Sequence, residues 1–563
     1  MTVGERHRLP VLVVGAGPSG LVLAGELLRR GVGVRLIDKA PSATNQSRAI
    51  AVHARTLEIF DELGIASSLV ARGVSAEGVT MFSGGAEIAS LDFVDLPTKF
   101  PFALCVSQVE TEAVLTDLLH SRGGQIDRDK ELVSFAEKGD AIEAVIRGSD
   151  GSEEIFRAAF VVGCDGAHSA VRHQVGAKFE GHTYEETFVL ADVRIDEGAP
   201  SNHRMTTFFA EDGIAALFPM KNQRFRVIVT APKSTVSDAP TLDEVRALVT
   251  ARAGRPMTIT EAAWVAPFRI HCRQVARYRH GRAFLAGDAA HIHSPIGGQG
   301  MNTGIQDAHN LGWKLALVHR GEAKQELLDS YHAERHAIGR FVLAETDRAT
   351  KIGMLKGMLA PVRDQVAKLI SSFDLVRQRL LKDTAELTVG YDKSPIAREV
   401  VTSTLIARFG RPEEAESPTV GSRFAFGSTG PKAGGRAPDA PLLASDGSRT
   451  SVAELLSGDA FTLFLCDGRS PTELGYARMV SIEATMKARW PTLVRTYLVT
   501  PQLARPANVP EDVALVHDQG ELERIYGAQT ECLYLVRPDL YVGFRSQPAD
   551  GDALVAYLED ILL

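Results

Sequence analysis

Three closely spaced glycines near the start of the chain constrain its fold more than any other feature. They form the motif Gly15-x-Gly17-x-x-Gly20 directly after the apolar run Val11–Val14, and the next stretch, Leu21–Arg30, carries apolar residues at helical spacing. Such a short apolar run is typical of a buried strand, and glycines let the chain turn tightly from strand to helix. This order predicts a strand–turn–helix unit of an α/β fold.

The next strand-like run, Val32–Ile37, ends at Asp38. This acid follows Gly20 at close to the spacing of about 20 residues at which a carboxylate accepts hydrogen bonds from a ribose. The glycines would let the backbone approach a pyrophosphate, and the helix N-terminus would offer it free N–H groups. The pattern predicts a dinucleotide site without distinguishing FAD from NAD. A glycine-rich turn without a ligand is the alternative.

A second segment repeats the pattern of strand and glycine turn. The apolar run Phe160–Val162 leads into Gly163, Asp165 and Gly166, and then into a helix start. The glycines allow close approach of the backbone, whereas Asp165 either caps the helix or contacts a bound cofactor. Arg172, inside that helix, is either a solvated charge or a phosphate contact. Taken alone, this segment favours an ordinary helix cap.

A third segment is the most informative about chemistry. The strand-like run Ala283–Ala286 leads to Asp288, which is placed to hydrogen-bond a ribityl chain, and the glycine-rich stretch Gly297–Asn302 opens a long helix. Glycines leave the backbone N–H groups unobstructed, and the helix dipole favours negative charge. A reduced flavin carries its charge at N1–C2=O, so this helix start predicts a flavin site. A helix start that serves packing alone is the alternative.

Composition excludes several classes of protein. The chain has 563 residues, 45% of them hydrophobic and 23% charged, which suits two or three domains of an ordinary globular protein. The net charge is −8, and no block of lysine or arginine favours nucleic acid or an anionic membrane. No run approaches the roughly 18 apolar residues of a membrane span. These features predict a cytoplasmic protein.

Cysteine and histidine usage argues against disulfides and metals. The cysteines form no Cys-x-x-Cys pair, which is typical of a reducing compartment and speaks against a zinc site. They are Cys105, Cys164, Cys272, Cys466 and Cys532. The histidines His271, His291 and His293 have no carboxylate or cysteine at ligand spacing. We therefore expect no metal centre.

Regional patterns divide the chain. From about 180 to 275, alternating stretches such as Phe225–Val229 predict antiparallel strands with one exposed face. Helical periodicity follows, and a further helical segment is expected at about 350–390. Gly, Pro and Ser concentrate near 400–440, where we place a boundary. Beyond it, strand-like runs such as Cys532–Val536 alternate with helix-like runs such as Glu521–Tyr526, as in a small α/β domain.

Together, the three glycine-bearing segments resemble those of the class A flavoprotein aromatic hydroxylases, the family of para-hydroxybenzoate hydroxylase and phenol hydroxylase. In that family they are the dinucleotide glycines, an Asp-Gly motif shared between FAD and the nicotinamide nucleotide, and a Gly-Asp motif. Further stretches are similar, and their amino-acid sequences most resemble those of the branch that hydroxylates polycyclic aromatic polyketides. They are Ser47–Ala49, Gln108, Tyr278–Arg282, Asp307–Lys314 and Leu328–Arg335.

The resemblance covers about residues 10–400 and implies an α/β (α+β) fold. A Rossmann-like FAD-binding domain would span residues 1–400, with an inserted, mostly antiparallel substrate-binding sheet domain at about 180–275 and the helical segment at about 350–390. More weakly, Gly435–Leu442 and Leu535–Asp539 resemble the family's thioredoxin-like C-terminal domain, which would span 415–563. Because Cys466 has no second cysteine three residues on, dithiol exchange lacks its resolving partner, and we interpret this domain as structural or oligomeric.

Carried over residue by residue, the resemblance implies a set of FAD contacts. The glycine motif and Asp38 would hold the ADP half, Gln108 would contact the middle of the cofactor, and the start of the long helix would line the ring. The full set is Gly15, Gly17, Ser19, Gly20, Asp38, Lys39, Arg48, Gln108, Asp165, Gly166, Asp288, Pro295, Gly298, Gly300, Met301 and Asn302. Asp38 stands where glutamate is commonest in the family, and both side chains accept ribose hydrogen bonds.

Candidates for substrate contact and catalysis are less specific. Large aromatic side chains of the predicted sheet could line a substrate pocket or simply fill the core. They are Phe209, Phe218, Trp264 and Phe268. Weak catalytic candidates are Arg48, His53 and Pro295, and His53 is either a helix-start residue or a substrate contact. No residue stands out as a nucleophile or general base.

The resemblance implies an FAD-dependent monooxygenase. NADPH or NADH would reduce the flavin transiently, and O2 would form a C4a-hydroperoxyflavin. A phenolic aromatic substrate, either a polycyclic polyketide-type ring system or a small phenol, would then be hydroxylated, with most of the chemistry supplied by the cofactor. A Baeyer–Villiger oxygenation of a related ketone or quinone is the alternative on the same scaffold. A flavoprotein binder or sensor without turnover is the alternative of another class. A homodimer is common in the family, and the sequence alone does not determine the oligomeric state.

Overall fold

The structure is a computed structural model that describes residues 9–44, 49–211, 213–231, 239–294, 297–353, 365, 374–401, 430–469 and 473–563, without the side chains of residues 185 and 375. The described chain divides into two compact units. Unit 1 comprises Met1–Leu96, Phe100–Arg320 and Arg335–Leu387. Unit 2 comprises Pro97–Lys99, Gly321–Glu334 and Thr388–Leu563. Each is a mixed α/β structure.

The strands are numbered in chain order. They are β1 (Val11–Val14), β2 (Val34–Ile37), β3 (Ala51–Val52), β4 (Val74–Ala76), β5 (Gly78–Ser83), β6 (Ala86–Asp92), β7 (Ala103–Cys105), β8 (Ile126–Asp127), β9 (Lys130–Lys138), β10 (Ala141–Gly148), β11 (Glu153–Ala158), β12 (Phe160–Gly163), β13 (Phe179–Glu197), β14 (Met205–Ala210), β15 (Gly213–Pro219), β16 (Arg224–Ala231), β17 (Thr258–Val275), β18 (Arg279–His280), β19 (Ala283–Leu285), β20 (His291–Ile292), β21 (Arg398–Val401), β22 (Pro441–Ala444), β23 (Arg449–Ser451), β24 (Phe461–Cys466), β25 (Val494–Thr500), β26 (Leu515–His517), β27 (Cys532–Val536) and β28 (Val542–Gln547).

The helices are numbered in the same way. They are α1 (Pro18–Arg29), α2 (Ala54–Glu62), α3 (Ala66–Val70), α4 (Gln108–Ser121), α5 (Ala170–Gln174), α6 (Leu242–Ala253), α7 (Gln299–Arg320), α8 (Asp329–Gly353), α9 (Asp374–Thr384), α10 (Val452–Leu455), α11 (Glu473–Arg489), α12 (Glu521–Tyr526) and α13 (Gly551–Ile561), with 3₁₀ turns at Gly287–Ala289 and Gln325–Leu328. Most of the predicted helical segment between α8 and α9 lies outside the described residues.

The first sheet of unit 1 brings the three glycine-bearing segments together. Its strand order is β18-β19-β12-β1-β2-β8. β1 pairs in parallel with β2 and β12, and β12 pairs in parallel with β19. Because the carboxyl ends of parallel neighbours meet at one sheet edge, the turns after β1, β12 and β19 lie side by side. All residues of these three strands are buried, which is why they read as continuous apolar runs in the sequence.

A larger sheet of unit 1 has the order β20-β17-β13-β16-β15-β14-β5-β6. Its pairings are antiparallel, except for the parallel pair of β14 and β5. Most of its strands come from the region where alternation predicted them. The strands β5, β6 and β20 come from elsewhere in the chain, and α6, which alternation did not predict, begins at a capping box on Thr241. Two three-stranded sheets, β11-β10-β9 and β3-β7-β4, complete the unit.

The two faces of this eight-stranded sheet differ. On one face, residues such as Val189, Leu217 and Val227 form a buried apolar cluster with Val245 and Val249 of α6. Neighbouring residues in each strand point the other way and form a second cluster. Its buried members are Phe188, Leu190, Ile214, Ile228, Ile270 and Cys272, and several partly buried aromatic side chains pack against them. We call this second side the aromatic face.

Unit 2 is built around a mixed eight-stranded sheet of order β21-β28-β27-β24-β25-β26-β22-β23. β24, β25 and β26 are parallel neighbours, whereas β27 runs antiparallel to both β24 and β28. The segment 321–334 belongs to this unit, because Lys324 N donates to Ile561 O at 2.9 Å and Glu334 pairs with Arg537. Among the described residues of the chain, no helix combines the length and apolar character needed to cross a membrane.

Candidate functional site

The first glycine turn is shaped by close backbone packing on one side and open space on the other. A Cβ on Gly15, whose φ is +101°, would lie 2.4 Å from Cys164 O, and a Cβ on Gly20 would lie 1.9 Å from Gly15 O. A Cβ on Gly17, by contrast, would meet nothing within 4 Å. Gly17 is the N-cap of α1, and no side chain caps that helix. The free N–H groups of the first turn therefore face an open cradle suited to a phosphate.

Asp38 stands directly after β2 and braces this turn. Its Oδ2 accepts a hydrogen bond from Ala16 N at 2.7 Å, and its Oδ1 accepts one from Ala40 N at 2.8 Å. The carboxylate is half-buried and the neighbouring Lys39 is exposed. A carboxylate has about four lone-pair positions, so two remain beyond these hydrogen bonds, with Arg128 Nη1 3.8 Å from Oδ1.

The second segment provides a helix start and an unsatisfied acid. Oδ2 of Asp165 accepts hydrogen bonds from Ala170 N at 2.6 Å and Val171 N at 3.3 Å, while Ser169 is the formal N-cap of α5. One oxygen of Asp165 therefore binds backbone N–H groups at the start of the helix, as expected for a helix-capping residue. Oδ1 is buried without a hydrogen-bond partner among the described residues, and burial raises the pKa of this acid. An orphaned acceptor here fits a hydroxyl or amide donor of a bound group.

The third segment packs tightly against α1 and α7. A Cβ on Gly287, whose φ is +59°, would lie 2.6 Å from Ser19 Oγ, and one on Gly304 would lie 2.4 Å from the same oxygen. The next residue, Asp288, is exposed in the 3₁₀ turn at the edge of the sheet. The backbone that precedes Asp288 is fixed by a buried hydrogen bond, in which Gly287 N donates to Asp307 Oδ2 at 3.1 Å.

Asp307 is a buried acid of α7 that the sequence analysis did not identify as a site residue. It accepts hydrogen bonds from His291 Nε2 and from Arg335 Nε, each at 2.7 Å. Burial alone would raise the pKa of Asp307, but the Arg335 guanidinium and His291 hold that pKa below its ordinary value. The sequence signal that could have identified Asp307 is an acid in the middle of a helix that is buried along most of its length. Acids are rarely fully buried without a partner.

The start of α7 is clamped by two side chains. Asn302 Nδ2 donates to Ala51 O at 2.9 Å and to Gly298 O at 2.8 Å, and its Oδ1 accepts from His53 N at 3.0 Å. His53 Nε2 lies 2.6 Å from Gly297 O, and burial lowers the pKa of His53 to about 4. Gly297 and Gly298 have φ values of +86° and +66°. The neutral imidazole and the amide thus fix a glycine loop whose N–H groups open the helix.

Several predicted residues take their place around this loop. Gly300 and Met301 are half-buried in the first turn of α7. Gln108, the first residue of α4, accepts from Ala49 N at 3.2 Å and donates to Glu112 Oε1 at 2.8 Å. Arg48 and Pro295, two of the weak catalytic candidates, lie outside the described residues.

The four aromatic residues suggested for the substrate share one location. Phe209, Phe218, Trp264 and Phe268 all pack, partly buried, on the aromatic face of the eight-stranded sheet. The buried core of that sheet lies on the opposite face and contains Phe208 instead. Each of these side chains packs on core residues, as a core role requires. Each also keeps part of its surface exposed, as contact with a substrate would require.

The arrangement fits a bound dinucleotide with a flavin ring. An open helix start follows β1, an orphaned acid follows β12 and the Gly287 turn follows β19, so all three lie at the edge where open α/β sheets bind ligands. The clamped glycine loop comes later in the chain, at the start of α7. These features define an FAD-binding flavoprotein. When bound, FAD accepts reducing equivalents from a nicotinamide nucleotide and activates O2, and the protein supplies binding, orientation and electrostatics.

Comparisons with known proteins agree with this class. Residues 8–346 match the protein family described as FAD binding domain. The chain is 32% identical over 571 residues to pentachlorophenol 4-monooxygenase of Sphingobium chlorophenolicum, covering 100% of this chain and 98% of that protein. It is 40% identical over 399 residues to 6-methylpretetramide 4-monooxygenase of Streptomyces rimosus, covering 69% and 70%. The solved structure of the OxyS anhydrotetracycline hydroxylase from Streptomyces rimosus matches with a TM-score of 0.74 at 28% identity, covering 98% of both chains.

The chain belongs to the family of FAD-dependent aromatic monooxygenases. This membership confirms the family resemblance and the enzyme class predicted from the sequence. It also confirms FAD as the cofactor, with a reduced nicotinamide nucleotide and O2 as the co-reactants.

Proposed function

We propose that this enzyme hydroxylates a phenolic substrate of polycyclic polyketide type, held against the aromatic face. The observation that carries this proposal is that four large aromatic side chains lie only partly buried on one side of the sheet, while α6 covers the other side. Offset or edge-on contacts between aromatic rings contribute about 0.5–1.5 kcal/mol each beyond area burial. The names of the Streptomyces rimosus relatives support a polycyclic substrate, and that of pentachlorophenol 4-monooxygenase makes a small phenol the comparison to test.

Five of the predicted cofactor residues have proposed roles consistent with their positions. The open cradle at Gly17 takes the pyrophosphate, with Asp38 on the adenosine ribose and Asp165 and Asp288 nearer the ribityl chain. Asn302 and His53 hold the loop that meets the flavin ring, so His53 positions the cofactor rather than the substrate. The remaining described members of this set are Gly15, Ser19, Gly20, Lys39, Gln108, Gly166, Gly298, Gly300 and Met301, whereas Arg48 and Pro295 lie outside the described residues.

A basic cavity beside the second segment is the proposed docking place of the reductant. The cavity measures about 500 Å³ and is lined by six basic side chains, with no acid among the described lining residues; these are His168, Arg172, His173, Lys178, His271 and Arg273. Burial lowers the pKa of His271, and the positive charge of Arg273 lowers it further, as expected in a cluster of cationic side chains. Such a site suits the phosphates of a nicotinamide nucleotide.

Unit 2 is proposed to be a thioredoxin-like domain without redox function. The parallel strands β24 and β25 with the antiparallel β27 support this assignment, and its boundary near 415 lies outside the described residues. Cys466 lies opposite Cys532 in the β24–β27 register, and both thiols are buried and unbridged. The neighbouring Cys532 thiol and burial raise the pKa of Cys466, which disfavours the reactive thiolate. Five unbridged cysteines also support a reducing, cytoplasmic location.

A substrate panel tests the proposed function. The purified protein, loaded with FAD, is mixed with NADH or NADPH and with polycyclic phenols, polycyclic ketones or small phenols, and product is measured beside NAD(P)H oxidation and O2 uptake. We expect polycyclic phenols to stimulate oxidation and to yield hydroxylated product in near-stoichiometric amount. Coupled turnover confined to small phenols, or ring-expanded lactones from ketones, would overturn the proposal.

A further inference from the structure

A buried ion pair lies among the aromatic side chains of unit 1. Arg226 of β16 is 0% exposed, and Asp192 of β13 is 6% exposed. The two are register partners across the strands. Arg226 Nη2 donates to Asp192 Oδ2 at 2.8 Å, and Arg226 Nε donates to Oδ1. Removing both charges from water costs several kcal/mol per ion, so the pair is weak evidence for a stabilising role and invites a functional one.

The same pair fixes one wall of the aromatic face. Trp264 of β17 is the register partner of Asp192 on the other side. Its Nε1 donates to Asp192 Oδ2 at 2.9 Å, and the Arg226 guanidinium lies 5.1 Å from the indole centroid. A hydrogen bond and a cation–π contact therefore set the plane of this indole.

The guanidinium also reaches the segment that holds the flavin loop. Arg226 Nη1 donates to Ala49 O at 3.3 Å. Gln108 N donates to the same oxygen at 3.2 Å, and two residues later Ala51 O accepts from Asn302. The Arg226 side chain thus contacts Trp264, beside the proposed substrate, and the backbone of Ala49, two residues before the carbonyl that Asn302 binds.

We propose that Arg226, held by Asp192, is a positioning residue that sets the spacing between Trp264 and the segment 49–53, and through it between substrate ring and flavin ring. This inference rests on the proposed function of the aromatic face. Oxygen transfer requires close alignment of the two rings, and a displacement of about 1 Å can cost about 100-fold in rate. Cofactor reduction makes no such demand on the spacing, so the loss of Arg226 uncouples the two half-reactions.

The test compares Arg226→Met with Arg224→Met, a matched control on the same strand whose partner Glu261 lies at the surface 2.6 Å away. For Arg226→Met we expect FAD affinity and substrate-stimulated NAD(P)H oxidation to stay within about threefold of wild type. Product per NAD(P)H should fall at least about tenfold, with hydrogen peroxide making up the difference. The absorption shift of bound FAD on addition of substrate should shrink as well. The control should behave as wild type in all four readouts.

A second variant covers the case in which Arg226→Met fails to fold. In Asp192→Leu/Arg226→Met the whole ion pair is replaced by apolar side chains, an exchange that buried pairs often tolerate. The same uncoupling supports the inference, as does partial recovery of coupling in Arg226→Lys, which restores the charge without the planar fork. Full coupling in a folded variant overturns it. If wild-type protein shows no coupled turnover with any aromatic substrate, the proposed function fails instead.

Discussion

At the residue scale, two buried polar side chains of unit 1, Asn302 and Asp307, hold backbone groups near the proposed cofactor site. Asn302 uses both of its side-chain groups on the backbone of Ala51, His53 and Gly298. Asp307 holds the amide of Gly287 and two charged or polar side chains. Such residues contribute orientation rather than chemistry, which suits an enzyme whose cofactor carries the reaction.

Asp307→Asn should weaken both folding and FAD binding. The substitution removes the carboxylate that pairs with the fully buried Arg335 at 2.7 Å, and breaking a buried pair in this way costs about 3–5 kcal/mol. Chemical unfolding and a fluorescence titration of FAD would measure the two effects. Glu345→Gln, which removes an exposed partner of Arg348, is the control and should change stability by no more than about 1 kcal/mol. Equal stability of the two variants would contradict the role of Asp307.

His53 should make the stability of unit 1 fall in acid. Its pKa is lowered by burial from 6.5 to about 4, so between these values the unfolded chain binds a proton that the folded chain does not. The contribution is fully present above pH 6.5 and is lost as the pH falls toward 4, amounting to about 3 kcal/mol. His53→Gln should flatten the pH dependence of the unfolding free energy in this window, and substitution of the exposed His203 should not. An unchanged profile for His53→Gln would show that His53 titrates normally in the folded protein.

Residues near the glycine motifs could be predicted because their chemistry is local in sequence. A glycine, an acid and a helix start lie within a few positions of each other in each segment. The contacts of Asp192, Arg226 and Trp264 could not be predicted in this way, since they depend on the register of three strands far apart in the chain. The same holds for Asp307, whose partners come from a different helix and loop.

At the scale of elements, α1 and α7 both begin at glycines, but the glycines serve different needs. Gly17 leaves open space in front of α1, whereas Gly298 has φ +66° and would place a Cβ 3.0 Å from Ala51 Cβ. The first glycine leaves open space where we propose the pyrophosphate to bind, and the second allows a close approach of two backbone segments.

Gly17→Ala should separate folding from cofactor binding. The backbone of Gly17, at φ −78° and ψ −177°, suits alanine, and the added methyl group meets no protein atom within 4 Å. We therefore expect the apoprotein to unfold within about 0.5 kcal/mol of wild type, as for other unstrained surface changes. FAD affinity should fall at least about tenfold, because the methyl group occupies the cradle, a loss of about 1.4 kcal/mol. Gly33→Ala, with only ordinary contact to Pro10, is the control. Normal FAD binding by Gly17→Ala would place the pyrophosphate elsewhere.

Strands and helices with buried or strongly periodic patterns were predicted well. The strand Cys532–Val536 and the helix Glu521–Tyr526 have the predicted bounds. The membership of sheets was harder, because β5 and β6 join the large sheet from before the second glycine segment. Helix α6 was missed because it stands among alternating strands, although its buried residues Val245, Val249 and Ala253 follow helical spacing.

At the scale of the whole molecule, unit 2 is assembled from segments that are far apart in the chain. Its 321–334 segment supplies Glu334, which receives two hydrogen bonds from the fully buried Arg537, at 2.6 and 3.0 Å. Asp539 and Ser394 complete this buried polar cluster. The sequence placed a boundary near 415, and composition could not reveal that an earlier segment packs with the residues beyond it.

Glu334→Gln should destabilise unit 2 by about 3 kcal/mol, because Arg537 keeps Asp539 but loses half of its negative surroundings. Chemical unfolding followed through the exposure of Cys466 and Cys532 to a thiol reagent would report on this unit. Glu326→Gln, at an exposed position of the same segment, is the control. Thiol protection equal to wild type in Glu334→Gln would mean that the 321–334 segment does not stabilise the unit.

This discontinuity sets a rule for building chimeras between relatives. A graft that exchanges only the residues after 388 combines Arg537 from one relative with Glu334 from another. The geometry of this buried ion pair then depends on two sequences of different origin. A graft that carries residues 321–334 along with the tail transfers the ion pair intact. Because unit 2 comprises three separate stretches of chain, a single crossover point cannot exchange it whole.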